Sequence, residues 1–256
     1  MNVTHVKRAA LLLFLSVLCL TGCNTTTVVH ILDRQAVYQT APMAHLEVGN
    51  YKSTISVQQF KSIGNFGIGV FENFDGEAIL ANGSLFQAKS DGTLVTPPDT
   101  TKLLLGSCML FDVEKRFTMR NIASYTEFQK ALTTYYATNI SLRAIQVQGT
   151  FSSMRVACSQ KQEPPCKPFS QAIRTAREHT WKEVRGTLVG FWIPPTVPEG
   201  IMPPGFHLVF ISEDRTKGGR VLDFESDKLI LYFKQIQRLT INYAPDATPR
   251  LDVGPL

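Results

Sequence analysis

His207 lies in an apolar run, Gly205-Phe206-His207-Leu208-Val209-Phe210-Ile211, and Gly218-Gly219-Arg220-Val221-Leu222-Asp223 follows it. On a strand, residues two apart share a face, so positions 207 and 209 present their side chains side by side. Two imidazoles at that spacing could grip one metal ion, but here the second position is valine, which has no lone pair to offer. Arg220 is permanently charged; it cannot donate to a cation and would repel one. A guanidinium can instead pair with Glu77 or present a bidentate fork to a carboxylate ligand, the alternative being a pocket filled with side chains. The other histidines do not complete a ligand set: His30 and His45 precede the core strands, and His179 falls in a predicted helix. A relocated metal site that uses one of them is one alternative. A partly buried histidine with no ligand role is the plainer reading of His207.

The elements that must position these residues are mostly strands. Gly67–Phe71 and Ala78–Leu80 flank the turn Asp75-Gly76, and Asn82-Gly83 and Asp91-Gly92 mark further turns, which together read as a β-meander continuing through Ser84–Ala88 and Leu94-Val95. Leu103–Asp112 and Lys115–Met119 are expected strands. Leu142–Val156 reads as a strand pair turning at Gln148-Gly149, and Arg185–Ile193, Phe206–Ser212, Arg220–Phe224 and Leu229–Gln235 as later strands. Ser124–Tyr136 has Phe128, Leu132 and Tyr135-Tyr136 at helical spacing, with Ser124 as N-cap and Glu127 three residues on. A second helix is expected over Ser170–Trp181, entered from Pro168, and a Pro-rich connection (Pro194, Pro195, Pro198, Pro203, Pro204) leads to the His207 strand. The pattern is a β-rich α+β fold with a mixed sheet, without the alternation of a doubly wound one. No low-complexity linker, heptad run or internal repeat divides it.

Lys7 and Arg8 precede an apolar stretch, Ala9–Leu20, that is too short to span a bilayer comfortably and has the flanks of a signal peptide. It closes on Leu20-Thr21-Gly22-Cys23, which resembles the bacterial lipoprotein box, where the cysteine thiol becomes a thioether to a diacylglycerol. The boundaries read as a signal over 1–22, a tether and N-terminal extension over 23–43 with Asn24–Thr27 as its polar part, a domain over 44–245, and a tail over 246–256. Two or three acyl chains would anchor the chain stably, since each buried methylene contributes roughly 0.8 kcal/mol. Asn24 after the cysteine suggests the periplasmic side of an outer membrane. Cys108, Cys158 and Cys166 then remain, and a disulfide between Cys158 and Cys166 is one expectation for an exported protein. The formal charge is +5; removing Lys7 and Arg8 leaves +3, too small and scattered for a nucleic-acid partner.

Several segments together resemble the alpha-acetolactate decarboxylase family. Gly67-Ile68-Gly69-Val70-Phe71 with Asp75-Gly76-Glu77, then Asn82-Gly83 and Lys89-Ser90-Asp91-Gly92, are similar to the family's first motif. Gly149-Thr150-Phe151 with Gln162 and Pro165, Gly186–Phe191 with Pro194, and the His207 segment follow in family order over roughly residues 44–240. The resemblance implies a smaller antiparallel barrel-like C-terminal part and loss of carbon dioxide from 2-acetolactate to give acetoin. It implies zinc held by three histidines, with an arginine and two glutamates beside it. In this chain Glu77 falls on the first glutamate and His207 on the first histidine, while Val209 and Arg220 fall on the other two. Ala157 falls on the arginine, for which Arg155, two residues earlier on the same strand face, is a partial substitute. No glutamate exists in the tail, where Asp252 is the acid nearby. The losses fall at four separated places.

Three readings of function follow. One is a lipid-anchored, catalytically impaired relative with no cofactor, binding a protein partner or a small hydroxy- or keto-acid through Arg220 and Arg155. Another is an active decarboxylase of acetoin biosynthesis, using Glu77 and an altered site. The last is an envelope lipoprotein that serves interaction alone. The resemblance also implies a homodimer.

Overall fold

The computed structural model describes residues 33–43, 46, 55–136, 141–163, 166–197 and 202–242. The signal segment, Cys23, the tether, His30, His45, Pro165, Pro198 and the tail with Asp252 lie outside the described residues.

The chain builds two sheets in succession. Strands β1 (Ala36–Gln39), β2 (Ile55–Ser56), β3 (Phe66–Phe71), β4 (Glu77–Ala81), β5 (Ser84–Ala88), β6 (Leu94–Val95), β7 (Lys102–Met109) and the late strand β13 (Arg238–Ile241) form the first. Its order is β13-β1-β7-β3-β4-β5-β6, with β2 also on β7. The β1–β13 pair is parallel and the rest antiparallel, so the sheet is mixed. Because β1 pairs inside this sheet, the fold already includes residues ahead of position 44.

The second sheet holds β8 (Lys115–Ile122), β9 (Arg143–Cys158), β10 (Arg177–Ile193), β11 (Gly205–Ser212) and β12 (Gly218–Gln235). β9 pairs along its length with both β10 and β12, and β11 pairs with β10 and then with the start of β12. The four strands therefore close into a ring, which removes the open edges that a flat sheet would expose. This is the smaller antiparallel barrel that the resemblance implied.

Helix α1 (Val57–Ile63) covers one face of the first sheet. Its capping box, Ser56 with Gln59, satisfies the first orphan N–H groups, and Phe60 is fully buried against the sheet. Helix α2 (Tyr125–Tyr135) starts at the expected cap: the Ser124 hydroxyl accepts from the Glu127 N–H at 3.1 Å. Its buried face, Tyr125, Phe128 and Leu132, plugs the barrel. There Phe128 meets Phe224 edge-on at 5.3 Å, and Phe224 meets Phe151 at 5.4 Å. A separate core made of Ile68, Ile79, Val189, Phe191, Val209 and Ile211 joins the barrel wall to the first sheet.

Local expectation and structure part in several places. Leu142–Val156 is not a hairpin. Gly149 continues β9 because its bare Cα lets β12 approach; a Cβ there would sit 2.8 Å from the Lys228 carbonyl. Arg220–Phe224 and Leu229–Gln235 are likewise one strand, carried through Glu225–Lys228 by pairing with β9. The second helix is short: Phe169–Ala172 (α3) and a 3-10 turn to Thr175, after which Arg177 begins β10. Thr180 and Trp181 favour strand, and pairing with Arg155 and Met154 decides the matter. His179 is thus on a strand, its ring nitrogen 3.0 Å from the Ser90 carbonyl. Cys108, Cys158 and Cys166 are free thiols, so Cys158 and Cys166 form no disulfide here.

Gly190 marks the closest approach of β10 to β11, where a Cβ would lie 1.8 Å from the His207 carbonyl oxygen. Backbone cannot yield as a side chain can, so Gly190→Ala is expected to lower unfolding free energy by about 3 kcal/mol in urea titration.

Candidate functional site

Where the barrel wall meets the first sheet, a cavity of about 370 Å³ opens. Its floor is Ile68, Gly69 and Val70 of β3 with Leu105, Gly106 and Ser107 of β7; its far wall is Leu208, Val209, Arg220 and Val221. Phe74, Phe169 and Ile173 close one side, and Met202, Pro203 and Phe206 another. Phe74 holds a positive φ of 58°, uncommon for an aromatic residue. It is kept there by packing on Phe169 at 5.8 Å. The lining is largely apolar. Glu77, Ser159, His207 and Arg220 supply the side chains of polar and charged character at its centre.

Glu77 starts β4 immediately after Gly76, whose φ of +90° admits the tight turn. It is almost fully buried, at 5% exposure. Ser159 clamps it: the hydroxyl donates to Oε1 at 2.7 Å, and the Ser159 N–H donates to both carboxylate oxygens at 3.0 and 3.1 Å. Burial pushes the carboxyl up to about 7, against the pull of the Ser159 hydrogen bonds and the Arg220 charge. Ser159 was not singled out by sequence reasoning. A serine following Cys158 carries no signal of its own, and only the end of β9 brings it to Glu77.

Arg220 sits in a cross-strand row. Register pairs it with Val209 on β11 and with Ala157 on β9, so the three side chains share the wall that faces the first sheet. Gly219 makes the crossing possible: a Cβ at that residue would lie 2.6 Å from the Cys158 sulfur. Three positions spread along the sequence, 157, 209 and 220, are therefore neighbours in space. Ala157 and Val209 are small, which leaves room for a guanidinium between them. An arginine at 157 as well would set like charges directly opposite, a destabilising arrangement. Among the described residues, Arg220 forms no ion pair, although its field reaches Glu77, His207 and Tyr125.

Arg155 does not join this site. It is paired with Glu178 at 3.1 Å on the barrel exterior and does not line the cavity. The reason is distance along the strand: Arg155 lies one full pleat repeat beyond Ala157. Asp252 lies outside the described residues.

His207 is half-buried. Its Nε2 lies 2.6 Å from the Pro203 carbonyl oxygen, which can only accept, so Nε2 carries the hydrogen and Nδ1 keeps its lone pair. Burial lowers its pKa, and the Arg220 charge adds to that, so the ring is neutral near pH 7. The donor set does not suit zinc. Val209 contributes no lone pair, Arg220 brings positive charge to the cation's place, and the His207 Nε2–H is donated to the Pro203 carbonyl, which leaves Nδ1 as the one donor atom of that ring. No group of three metal-ligating side chains exists among the described residues. What the arrangement can do is hold an anion: a cation with no ion-pair partner among the described residues, an apolar enclosure, and a protonatable carboxyl within the same cavity.

The comparisons with known proteins agree with this architecture. A family model described as alpha-acetolactate decarboxylase matches residues 37–248. An alpha-acetolactate decarboxylase of Methanosarcina mazei is 31% identical over 192 residues, covering 75% of this chain and 66% of its own length, just under two thirds. That of Lactococcus lactis subsp. lactis is 30% identical over 207 residues, covering 81% and 87%. The crystal structure of alpha-acetolactate decarboxylase from Bacillus subtilis strain 168 superposes with a TM-score of 0.78 at 27% identity, covering 83% of this chain and 90% of that one. With a match running through nearly all the described residues and the same two-part fold beneath it, the chain belongs to the alpha-acetolactate decarboxylase family.

Proposed function

We propose that this chain is a member of the family that has exchanged metal-assisted decarboxylation for binding of a small hydroxy- or keto-acid. The observation that carries the reading is Arg220, lining an apolar cavity with no ion pair among the described residues and flanked by two small residues. A carboxylate of a short acid would meet the guanidinium fork, and its hydroxyl or carbonyl oxygen would reach towards Glu77 and His207. The family's reaction needs an electrophile to hold the electron pair left when carbon dioxide departs. Val209 and Arg220 remove two of the donors that would hold one.

The N-terminal segment supports a second part of the reading, that the domain is carried on a lipid anchor at Cys23 and faces the periplasm. Lys7, Arg8, the apolar run Ala9–Leu20 and the Leu20-Thr21-Gly22-Cys23 box are its support.

Purified protein is expected to release no acetoin from 2-acetolactate, with or without added zinc. 2-Hydroxyisobutyrate at a hundred times its Kd is expected to raise Tm by about 5 °C or more, and Arg220→Met to abolish that rise. Acetoin at turnover rates typical of the family would overturn the reading. In cells, Cys23→Ser is expected to move the protein from the membrane fraction to the soluble one; retention in membranes would remove the lipid anchor.

Glu77 also makes stability depend on pH. Its folded pKa is raised, so the folded state holds this proton more tightly than the unfolded one. That contribution is complete below about pH 4.5 and is lost as pH rises through about 7. Relative to Glu77→Gln, which does not titrate, the wild type is expected to lose about 3 kcal/mol across this window, read by urea titration at pH 4.5, 6 and 8. Parallel curves for the two proteins would refute it.

A further inference from the structure

We infer that the cavity takes up a proton with its anion: a monocarboxylate binds Arg220 as Glu77 becomes protonated, so occupancy is coupled to pH. The inference rests on the carboxylate-binding reading and adds the partner that the bound anion must have, a proton from solvent.

The argument is one of charge balance in an enclosed, apolar space. Among the described residues that line the cavity, the charged groups are Arg220 and Glu77. With Glu77 ionised, the lining is neutral overall, and the guanidinium's field is shared with the carboxylate. An entering anion would then leave a net negative charge among Ile68, Val70, Leu105, Phe206 and Val209, where an uncompensated charge is costly. Transfer of one proton to Glu77 restores neutrality and leaves Arg220 wholly to the ligand. The carboxyl keeps its place meanwhile, because Ser159 holds it by both its hydroxyl and its N–H.

The groups around Glu77 do not take this proton instead. His207 faces the site from β11 and remains neutral, with its pKa lowered by burial and by Arg220. Cys158 lies behind on β9, and burial pushes its thiol up, so it stays protonated. Tyr125 of α2, beyond Arg220, is likewise pushed up by burial. Lys89 and Asp75, at the end of β4 and β5 where Glu77 begins, close on each other at 2.8 Å. In the empty protein, Glu77 itself is pushed up to about 7, so it passes between its two states in the physiological range.

Isothermal titration of the full chain with 2-hydroxyisobutyrate, from pH 6 to pH 8.5, tests the inference. The Kd is expected to be flat near pH 6 and to weaken about thirty-fold by pH 8.5, as one proton must be bound with each ligand above about pH 7. At pH 8, heats in HEPES and in Tris are expected to differ by the uptake of close to one proton. For Glu77→Gln, Kd is expected to stay constant over the same range, with no buffer dependence. A wild-type Kd that does not change with pH overturns the proton coupling and leaves carboxylate binding standing. A pH dependence that survives in Glu77→Gln assigns the proton to another group and overturns it too. No binding at pH 6 in either protein overturns the carboxylate reading itself, and the coupling with it. The buffer comparison on the wild type keeps the test decisive if Glu77→Gln does not fold.

Discussion

Pairing along the whole of β9 is the constraint on which the rest depends. Its sixteen residues, Arg143–Cys158, hydrogen-bond to β10 on one side and β12 on the other. Once that register is set, β11 can only close the ring, and Val209, Arg220 and Ala157 must fall in one row. The same strand ends at Cys158, so the next N–H and hydroxyl, those of Ser159, emerge beside Glu77. Glycines at 149, 186, 190 and 219 are what let the strands lie this close, because each removes a Cβ that would strike a neighbouring backbone or side chain. Core packing then follows the ring: Phe128, Phe151 and Phe224 fill its interior, and the outward residues Val189, Phe191 and Ile211 dock it on the first sheet.

That docking makes the chemistry. An isolated sheet would leave Glu77 in water with an ordinary carboxylate pKa. Covered by the barrel wall, it loses its hydration, and two or three hydrogen bonds from Ser159 do not fully replace it. Arg220 gains from the same enclosure, since in a space of low polarity its field is weakly screened. Among the described residues, Glu77 and Arg220 share this cavity with opposite charges and form no ion pair. A fixed positive charge on this wall favours an anion over a cation.

Much of the fold could be read in the chain. The β-meander from Gly67 to Val95 was marked by its turns, because Asp75-Gly76 and Asn82-Gly83 have local conformational preferences that do not depend on the rest of the protein. Helix α2 was marked by Ser124, Glu127 and the spacing of Phe128 and Leu132 for the same reason. Failures came where tertiary pairing overrode local preference. Gly149 looked like a turn and is a point of close strand contact; Ser170–Trp181 looked helical and turns into β10 at Arg177, drawn by the length of β9.

For the site, the sequence by itself determined what was missing: valine cannot ligate, and arginine cannot share a cation's place, whatever fold surrounds them. It also determined the family, because motifs kept their order over most of the chain. Only the tertiary structure decided that positions 157, 209 and 220, dispersed along the chain, are cross-strand neighbours, with one guanidinium between two small side chains. Only it decided that Glu77 is buried, that Ser159 holds it, and that Arg155 belongs to the surface. The reason is physical: the chemistry of a side chain's atoms travels with its residue type, whereas register, burial and the distance between charges exist only once distant strands have paired.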